Sequence, residues 1–265
     1  MEKLFEYSKP VDSQEFVGRK AEVEKISADF VFLTNTIILA PQGLGKSSLV
    51  RKAAAEASHR EKKLRFCYLD LFNVRNEERF YELYAESVLK AVSPTLEDAV
   101  GNLSRFFTLP SPKLNFTSPT VDGVCLDYDW SEVRRYKDHI LQIPMRVAEA
   151  TGHRLVVCID NFHAIENFED PDTFMNLLKT NWMVGKSVAY CLCAQENATM
   201  NDFLKTVKPF SVYADIIRLG KIDSIAFSRH LRDKFADSGK YISAAPWLSW
   251  SASSITRNPY WSHSW

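Results

Sequence analysis

The 265-residue sequence predicts an α/β fold built on a parallel β-sheet, and three observations support this prediction. Five short apolar segments are rich in β-branched or aromatic residues, which is typical of buried parallel strands. Helical patterns fall between them, and such alternation favours a parallel sheet with helices on both faces. A glycine-rich segment joins the first strand to a helix, where a helix N-terminus can receive a phosphate group.

The individual elements follow from these patterns. The predicted strands are Thr36–Ala40, Leu64–Asp70, Leu155–Asp160, Ser187–Cys193 and Asp215–Leu219. The predicted helices are Ala21–Leu33, Lys46–Ser58, Glu77–Ala91, Tyr136–Ala150 and Asp172–Trp182. Residues 93–130 interrupt this rhythm with several prolines, serines and threonines, so we predict an irregular insertion, a kind of segment that is usually functional or mobile.

Composition excludes some classes of function. Lysine plus arginine equals aspartate plus glutamate at 33 each, so charge does not indicate a nucleic-acid partner, although a local basic patch stays open. No apolar run reaches the roughly 18 residues needed to span a bilayer, so we expect no membrane segment. The five cysteines include no CxxC pair, and four lie in strand-like segments where a thiol acts as a small hydrophobe. A reducing cytoplasm is the expected location.

The segment APQGLGKS fits the phosphate-loop pattern of a small residue, four spacers, Gly, Lys and Ser. Its backbone N–H groups and the positive end of the following helix dipole would surround a β-phosphate. Lys46 would reach the β- and γ-phosphates, and Ser47 would bind Mg²⁺. A glycine-rich junction without a ligand is the alternative, which the flanking strand and helix disfavour. The predicted phosphate-binding residues are Ala40, Pro41, Gln42, Gly43, Leu44, Gly45, Lys46, Ser47 and Ser48.

The strand LVVCID delivers the carboxylate of Asp160 at the edge of the sheet where parallel-sheet proteins bind ligands. We expect Asp160 to hold the Mg²⁺ ion through water. Considered without the phosphate loop, Asp160 is equally compatible with capping the following helix. Together with the phosphate loop, the metal role is favoured, and the sequence predicts binding of ATP, or another purine nucleoside triphosphate, with Mg²⁺.

Two further positions bear on hydrolysis. Many P-loop ATPases place a glutamate directly after this aspartate, where it polarises the attacking water, but here the position is Asn161. An amide cannot accept a proton, so general-base assistance is weakened or absent. Gln195 follows the fourth strand and is our candidate for sensing the γ-phosphate, with an exposed polar loop as the open alternative. Glu166 and Glu196 are near in sequence, and we interpret His163 as an exposed loop residue.

Several motifs together resemble a known family. FVGRKAEVEKI (Phe16–Ile26), APQGLGKSSL and VVCIDNFHAI resemble the FVGRExE, GPxGxGKTSL and VxxIDEFQxI blocks of archaeal-type AAA-like ATPases. That group lies close to the STAND signalling ATPases and more distantly to the Orc/Cdc6 initiators. Its bacterial branch, with many members from Bacteroidetes, has further blocks similar to Asp70–Phe80, Pro209–Ile222 and Lys234–Ser243. The resemblance covers roughly residues 10–245.

The resemblance implies a P-loop NTPase core with strand order 5-1-4-3-2 and a following helical or winged-helix lid. It also implies that Gly18 and Arg19 lie near the nucleotide. We divide the chain into a leader (1–15), a core (16–220) and the start of a lid (221–265), which we expect to be incomplete. The Ser/Trp-rich end is interpreted as a docking surface, a chain cut short, or a stretch read out of frame.

Three functions are compatible with these features. The favoured one is an ATP- and Mg²⁺-dependent switch with slow hydrolysis, read by the lid, by an unknown protein partner or by self-association. A nucleotide-binding regulator or scaffold without useful hydrolysis is the alternative that Asn161 favours. A DNA-handling ATPase of a mobile element is suggested only by the distant initiator resemblance, and neutral charge does not support it.

Overall fold

Five parallel strands form the centre of the fold. The computed structural model describes residues 16–92, 137–182, 186–195, 214–237 and 239, and the backbone of residues 115–116 and 126–127. The strands of the sheet are β1 (Asn35–Leu39), β2 (Leu64–Asp70), β3 (Arg154–Asp160), β4 (Val188–Ala194) and β5 (Ala214–Arg218). They lie in the order β2-β3-β4-β1-β5, and every neighbouring pair is parallel. The predicted order 5-1-4-3-2 is confirmed.

Helices cover both faces of this sheet. They are α1 (Lys20–Phe32), α2 (Lys46–Arg60), α3 (Glu77–Val92), α4 (Lys137–Leu141), α5 (Ile143–Thr151), α6 (Pro171–Trp182) and α7 (Ser224–Asp237), with a 3₁₀ helix at Phe162–Asn167. One apolar cluster joins α3, α4, α5 and α6 to the sheet, and the other joins α1 and α2 to it. All seven residues of β4 are buried, as expected for a strand covered on both faces.

The prediction of one helix over Tyr136–Ala150 is wrong, because the chain turns at Gln142 between α4 and α5. Pro144 is the reason. It has no N–H to continue the hydrogen bonding of α4, but it fits the first turn of α5, where that N–H would have no intrahelical partner.

Buried aromatic side chains hold the larger cluster together. The rings of Trp182 and Tyr190 stack with centroids 4.2 Å apart, and the Tyr84 and Tyr190 hydroxyls are 3.1 Å apart. Tyr84 also donates to the Leu141 carbonyl oxygen at 3.2 Å. Such a ring pair contributes about 0.5–1.5 kcal/mol beyond its buried area, and the hydrogen bonds satisfy hydroxyls that lie out of water. This packing fixes β4 against α3 and α6.

The cysteines within the described ranges are Cys67, Cys158, Cys191 and Cys193, and all four are buried and free. Burial raises the pKa of the Cys67 thiol to about 12, so it behaves as a small apolar group. Within the same ranges, no helix has both the length and the apolarity that crossing a bilayer requires.

The predicted insertion contains a short antiparallel pair of strands, Asn115–Phe116 with Leu126–Asp127. The rest of residues 93–130 lies outside the described residues. The predicted leader, Cys125, Glu196 and the chain beyond residue 239 also lie outside them. The five strands end at one edge of the sheet, and the segments that follow them carry the candidate site.

Candidate nucleotide-binding site

The phosphate loop, Ala40–Ser47, connects β1 to α2 in a tight turn. Gly43 and Gly45 have φ angles of 79° and 81°, in the left-handed region that favours glycine. Gly45 directly precedes α2, and its carbonyl oxygen accepts the Leu49 N–H at 2.9 Å. At the other end, the Ala40 N–H donates to the Ala194 carbonyl oxygen at 3.2 Å. The loop is therefore fixed to β4 on one side and to the start of α2 on the other.

The remaining loop residues show a clear pattern of burial. Pro41 and Gln42 are exposed, whereas Leu44 and Ser48 are buried against the sheet. The exposed tip and the N-terminus of α2 both come directly after the carboxyl end of β1 and so lie at that edge of the sheet. Backbone N–H groups at such a helix start, together with its dipole, attract anions.

Lys46 is the buried cation of this loop, with 8% of its surface exposed. Its Nζ donates to the carbonyl oxygens of Ala40 at 2.9 Å and of Pro41 at 3.1 Å. Burial lowers the pKa of Lys46. Two of its three N–H donors are thus held by backbone carbonyls, so the ammonium is positioned within the loop rather than extended into solvent.

Ser47 and Asp160 come together although they are far apart in sequence. The Ser47 hydroxyl donates to Asp160 Oδ2, and the Asn161 N–H donates to Asp160 Oδ1 at 2.9 Å. A hydroxyl and a carboxylate are hard oxygen donors, which fit Mg²⁺. In the described part of the chain, no group of three His, Cys, Asp or Glu side chains could hold a metal. Mg²⁺ ordinarily completes its octahedron with phosphate and water, so these two residues suit an ion that arrives with a nucleotide.

Asn161 lies in the left-handed region, with φ 52°. Its Nδ2 donates to Asp70 Oδ1 at 2.7 Å, and Asp70 pairs with Asp160 in the register of β2 and β3. We call Asp70, Asp160 and Asn161 the β2–β3 edge. The sequence prediction did not include Asp70. Two features of the sequence point to Asp70. It ends a predicted strand, and the predicted strand order places that strand beside the one that ends in Asp160.

Gln195 follows β4 at the same edge, and its role in sensing a γ-phosphate stays a prediction. Its backbone N–H donates to His163 Nδ1 at 3.4 Å. The interpretation of His163 as an exposed loop residue is wrong, because it is half-buried in the 3₁₀ helix after β3. Burial lowers the pKa of His163, and so does the neighbouring Lys46. The carboxylates of Glu166 and Asp160 raise this pKa, but by less than burial lowers it. The hydrogen bond between Gln195 and His163 links the segments that follow β3 and β4.

Gly18 and Arg19 precede α1 with φ angles of 68° and 56°. A Cβ on Gly18 would lie 3.2 Å from Ile222 Cγ2, so the position is confined as well as left-handed. Arg19 Nη2 donates to the carbonyl oxygens of Leu44 at 3.3 Å and of Gly220 at 2.6 Å. Its side chain is 5% exposed. Arg19 therefore joins the phosphate loop to the segment that leads from β5 to α7.

Glu166, which the sequence analysis considered as a carboxylate near the site, is half-buried in the 3₁₀ helix. Among the described residues, its Oε1 is buried without a hydrogen-bond partner. Its charge raises the pKa of His163, which lies in the same 3₁₀ helix.

The chain matches no protein-family model and no curated protein. Among solved structures it is similar to the ORC2 protein of Aeropyrum pernix in its ADPNP–ADP complexes, with a TM-score of 0.58 and 14% identity over 89% of this chain. A Walker-type ATPase of Pyrococcus abyssi has a TM-score of 0.56 and 17% identity over 91% of this chain. The A. pernix ORC1 protein in complex with DNA has a TM-score of 0.53 and 11% identity over 86% of this chain.

These identities are low, so the likeness shows the fold alone. The chain has the α/β fold of Orc/Cdc6-like, AAA-type P-loop ATPases, with the same five-stranded parallel sheet. It spans 56%, 64% and 51% of the lengths of the three structures. The narrower resemblance to one bacterial branch stays a prediction.

Proposed function

We propose that this protein is an ATP- and Mg²⁺-binding, AAA-like molecular switch whose hydrolysis is slow. The observation that carries the proposal is the convergence of Lys46, Ser47 and Asp160 at one edge of the sheet. A buried ammonium, a hydroxyl and a carboxylate that meet at a helix N-terminus are a set of groups suited to a magnesium-bound triphosphate.

Binding would exchange weak internal contacts for stronger ones. Lys46 gives up its hydrogen bonds to the Ala40 and Pro41 carbonyl oxygens and bonds to the β- and γ-phosphates. Contacts between an ammonium and a phosphate are charge-assisted and about twice as strong as neutral hydrogen bonds. Ser47 and Asp160 would hold the ion, which when bound neutralises charge on the β- and γ-phosphate oxygens. The similar ORC2 structure contains ADPNP and ADP, which supports a nucleotide as the ligand.

Slow hydrolysis follows from the side chain at position 161. Asn161 directly follows the metal-binding carboxylate, and its amide cannot take a proton from water. Its Nδ2 is also committed to Asp70. A nucleotide-binding regulator or scaffold without useful turnover is therefore the second candidate.

The DNA in the ORC1 complex belongs to that protein, and the equal numbers of acidic and basic residues give DNA handling by this chain little support.

A switch needs a route from the nucleotide to a readout. Arg19 bonds to Leu44 in the phosphate loop and to Gly220 just before α7. A change in the loop on binding would therefore alter the position of the segment that begins α7. The reader of that change is α7 and the chain beyond it, a protein partner or a second copy of this chain.

Nucleotide affinity and phosphate release, measured on the same preparation, test this function. We expect ATP to bind more tightly with Mg²⁺ than in EDTA, and turnover to stay well below about 1 s⁻¹, the low end for enzymes. Absence of ATP binding would refute the function as a whole. Brisk phosphate release would refute the slow-hydrolysis part and leave nucleotide binding intact.

A further inference from the structure

Basic side chains are concentrated where three strands of the sheet begin. Six lysines and arginines, but only one glutamate, lie in residues 59–65, 153–154 and 186–187, at the starts of β2, β3 and β4. Because the strands are parallel, these starts lie at the edge of the sheet opposite the phosphate loop. We call this set the basic edge, and it consists of Arg60, Lys62, Lys63, Arg65, Arg154 and Lys186.

Backbone hydrogen bonds bring the three segments side by side. The Arg154 N–H donates to the Lys63 carbonyl oxygen at 3.0 Å, and the Leu155 N–H donates to the Ser187 carbonyl oxygen at 3.0 Å. Neighbouring strands are about 4.8 Å apart, so the backbone from Lys63 through Arg154 to Ser187 forms a row about 10 Å long. The basic edge is therefore one surface rather than a set of separate charges.

The positive charge of this surface is largely available to a partner. Lys62, Lys63 and Lys186 are all exposed. Glu61 offsets one cation, since its carboxylate lies 3.5 Å from the guanidinium of Arg154. It is the one acidic residue of the three segments, so most of their positive charge stays uncompensated within them. A chain with no net charge thus has a strongly basic region at one edge of its sheet.

The charges of the basic edge also act on a histidine between them. Burial lowers the pKa of His153, and the positive charges of Arg65 and Lys63 lower it further. Arg65 is held at this edge because its Nη1 donates to the carbonyl oxygens of Lys62 and Leu64, each at 2.9 Å. The cations therefore converge on one place at the starts of β2 and β3.

An exposed aromatic side chain lies at the same edge. Phe32 ends α1, three residues before β1, and 78% of its surface is exposed. The end of α1 is close to β2, since the rings of Phe30 and Phe66 have centroids 5.4 Å apart. A single exposed phenylalanine is ordinary in itself, but here it stands at an edge rich in cations. A partner that covers both features needs negative charge and an apolar layer.

We propose that the basic edge and Phe32 bind an anionic lipid surface, with the lysines and arginines at the headgroups and Phe32 at the boundary of the acyl chains. A bilayer offers negative charge and apolar material over a wide plane, which suits cations that lie side by side along a sheet edge. A nucleic-acid duplex offers phosphates but no apolar layer for Phe32. The phosphate loop lies at the other edge of the sheet, so ATP would bind on the side away from the lipid.

Cosedimentation of the full chain with lipid vesicles tests this proposal. One kind of vesicle contains phosphatidylcholine with about one third phosphatidylglycerol, and the other contains phosphatidylcholine alone. We expect affinity for the anionic vesicles to be at least about tenfold higher. This affinity should fall as salt shortens the Debye length from about 10 Å at 0.1 M to about 3 Å at 1 M.

The charges are tested with Lys62→Glu/Lys63→Glu. Each cation near an anionic bilayer contributes about fivefold in affinity, so binding should weaken about 25-fold or more. The matched control, Arg75→Glu/Lys221→Glu, makes the same change of charge at exposed residues that follow β2 and β5, at the opposite edge. It should alter affinity by less than about threefold, because salt screens charges that lie farther away than a Debye length.

The aromatic side chain is tested with Phe32→Ala. Its affinity for anionic vesicles should fall about tenfold, the effect of burying one large apolar side chain, while the salt dependence stays as in the wild type. Phe72→Ala is the matched control, since Phe72 is 64% exposed and follows β2 at the opposite edge. It should bind as the wild type does. Thermal denaturation of every variant checks that the fold is kept.

Several results would overturn the proposal. They are equal binding to both kinds of vesicle, binding to neither, equal losses in a variant and its control, and wild-type affinity in Phe32→Ala. Tighter binding to a single- or double-stranded oligonucleotide than to anionic vesicles at the same salt would assign the edge to nucleic acid and overturn the proposal as well. The proposal does not rest on ATP binding, so its failure and that of the proposed function are separate results.

Discussion

The phosphate loop and the β2–β3 edge meet at the Ser47–Asp160 hydrogen bond but are built in different ways. In the loop, Lys46 is held by the carbonyl oxygens of residues five and six positions away, and the glycines set the turn. At the edge, Asn161 is held by the side chain of Asp70, 91 residues away in sequence. The loop is therefore a local structure that any chain with this motif can form, whereas the edge depends on which side chains two strands bring together.

The difference suggests how the two regions divide the work. Backbone groups and one lysine bind phosphate whatever stands at position 161. Under the proposed function, the side chain at position 161 decides what happens to the bound nucleotide. Changes in the loop should therefore alter affinity, and changes at the edge should alter turnover.

The largest expected effect comes from Lys46→Ala, which removes the cation that would contact the β- and γ-phosphates. Charge-assisted bonds contribute about 1.5–3 kcal/mol each, so ATP affinity should fall by about 100-fold or more. Titration with a fluorescent ATP analogue measures the loss. Lys62→Ala, at an exposed lysine between α2 and β2, is the control and should bind as the wild type does. Equal affinity of Lys46→Ala and the wild type would mean that the loop does not bind phosphate.

Asp160→Asn should produce a smaller effect that depends on Mg²⁺. We expect ATP affinity to fall about tenfold with Mg²⁺ and to change little in EDTA, because an amide oxygen is a weaker ligand for a hard cation. Ser47→Ala should show the same dependence, since its hydroxyl is bonded to Asp160. An equal loss in both conditions would indicate a folding defect and remove the metal assignment.

Arg19→Ala tests whether the loop is connected to α7. Loss of the guanidinium leaves the Leu44 and Gly220 carbonyl oxygens without this partner, and the free energy of unfolding should fall by about 1–3 kcal/mol. Hydrogen exchange in α7 should then no longer respond to ATP. Arg79→Ala, which removes an exposed pair with Glu82, should leave both readouts unchanged. Persistence of the ATP response in Arg19→Ala would exclude this route.

The smallest expected effect is a pH dependence at His163, between the two regions. Because the pKa of His163 is lowered in the folded state, the unfolded chain binds more protons as pH falls through about 6.5. Stability from this group is therefore present above that pH and is lost as pH falls toward the folded pKa. His163→Gln should flatten this part of the urea-denaturation profile by at most about 0.5 kcal/mol, since the group is half exposed. If the stability of His163→Gln changed with pH in the same way as that of the wild type, the result would contradict this prediction.

The sequence predicts the parts of the molecule that depend on local patterns. The five strands lie within one residue of their predicted starts and ends, because buried parallel strands are continuous apolar runs. Lys46, Ser47 and Asp160 meet as the motif requires. The structure brings these residues together, and their role in binding a ligand stays a prediction.

What the sequence does not predict depends on contacts between distant residues or on one residue inside a pattern. Pro144 divides a helical pattern that remains amphipathic through it, so periodicity alone does not show the turn. Asp70 has no motif of its own, and its significance appears only when β2 lies beside β3. His163 has no motif that predicts its partner, the N–H of Gln195, which follows β4 and lies 32 residues away in sequence. For Asp70 and His163, tertiary packing and not propensity decides the outcome.

The most direct test of the account follows the fate of ATP on the protein. Excess wild-type protein is mixed with a small amount of ATP and Mg²⁺, and the bound nucleotide is identified as ATP or ADP over time. We predict that nucleotide is retained and that it stays ATP for minutes or longer, because the site binds phosphate but has only an amide at position 161. No retained nucleotide, or conversion to ADP within about a second, the range of ordinary enzymes, would contradict it.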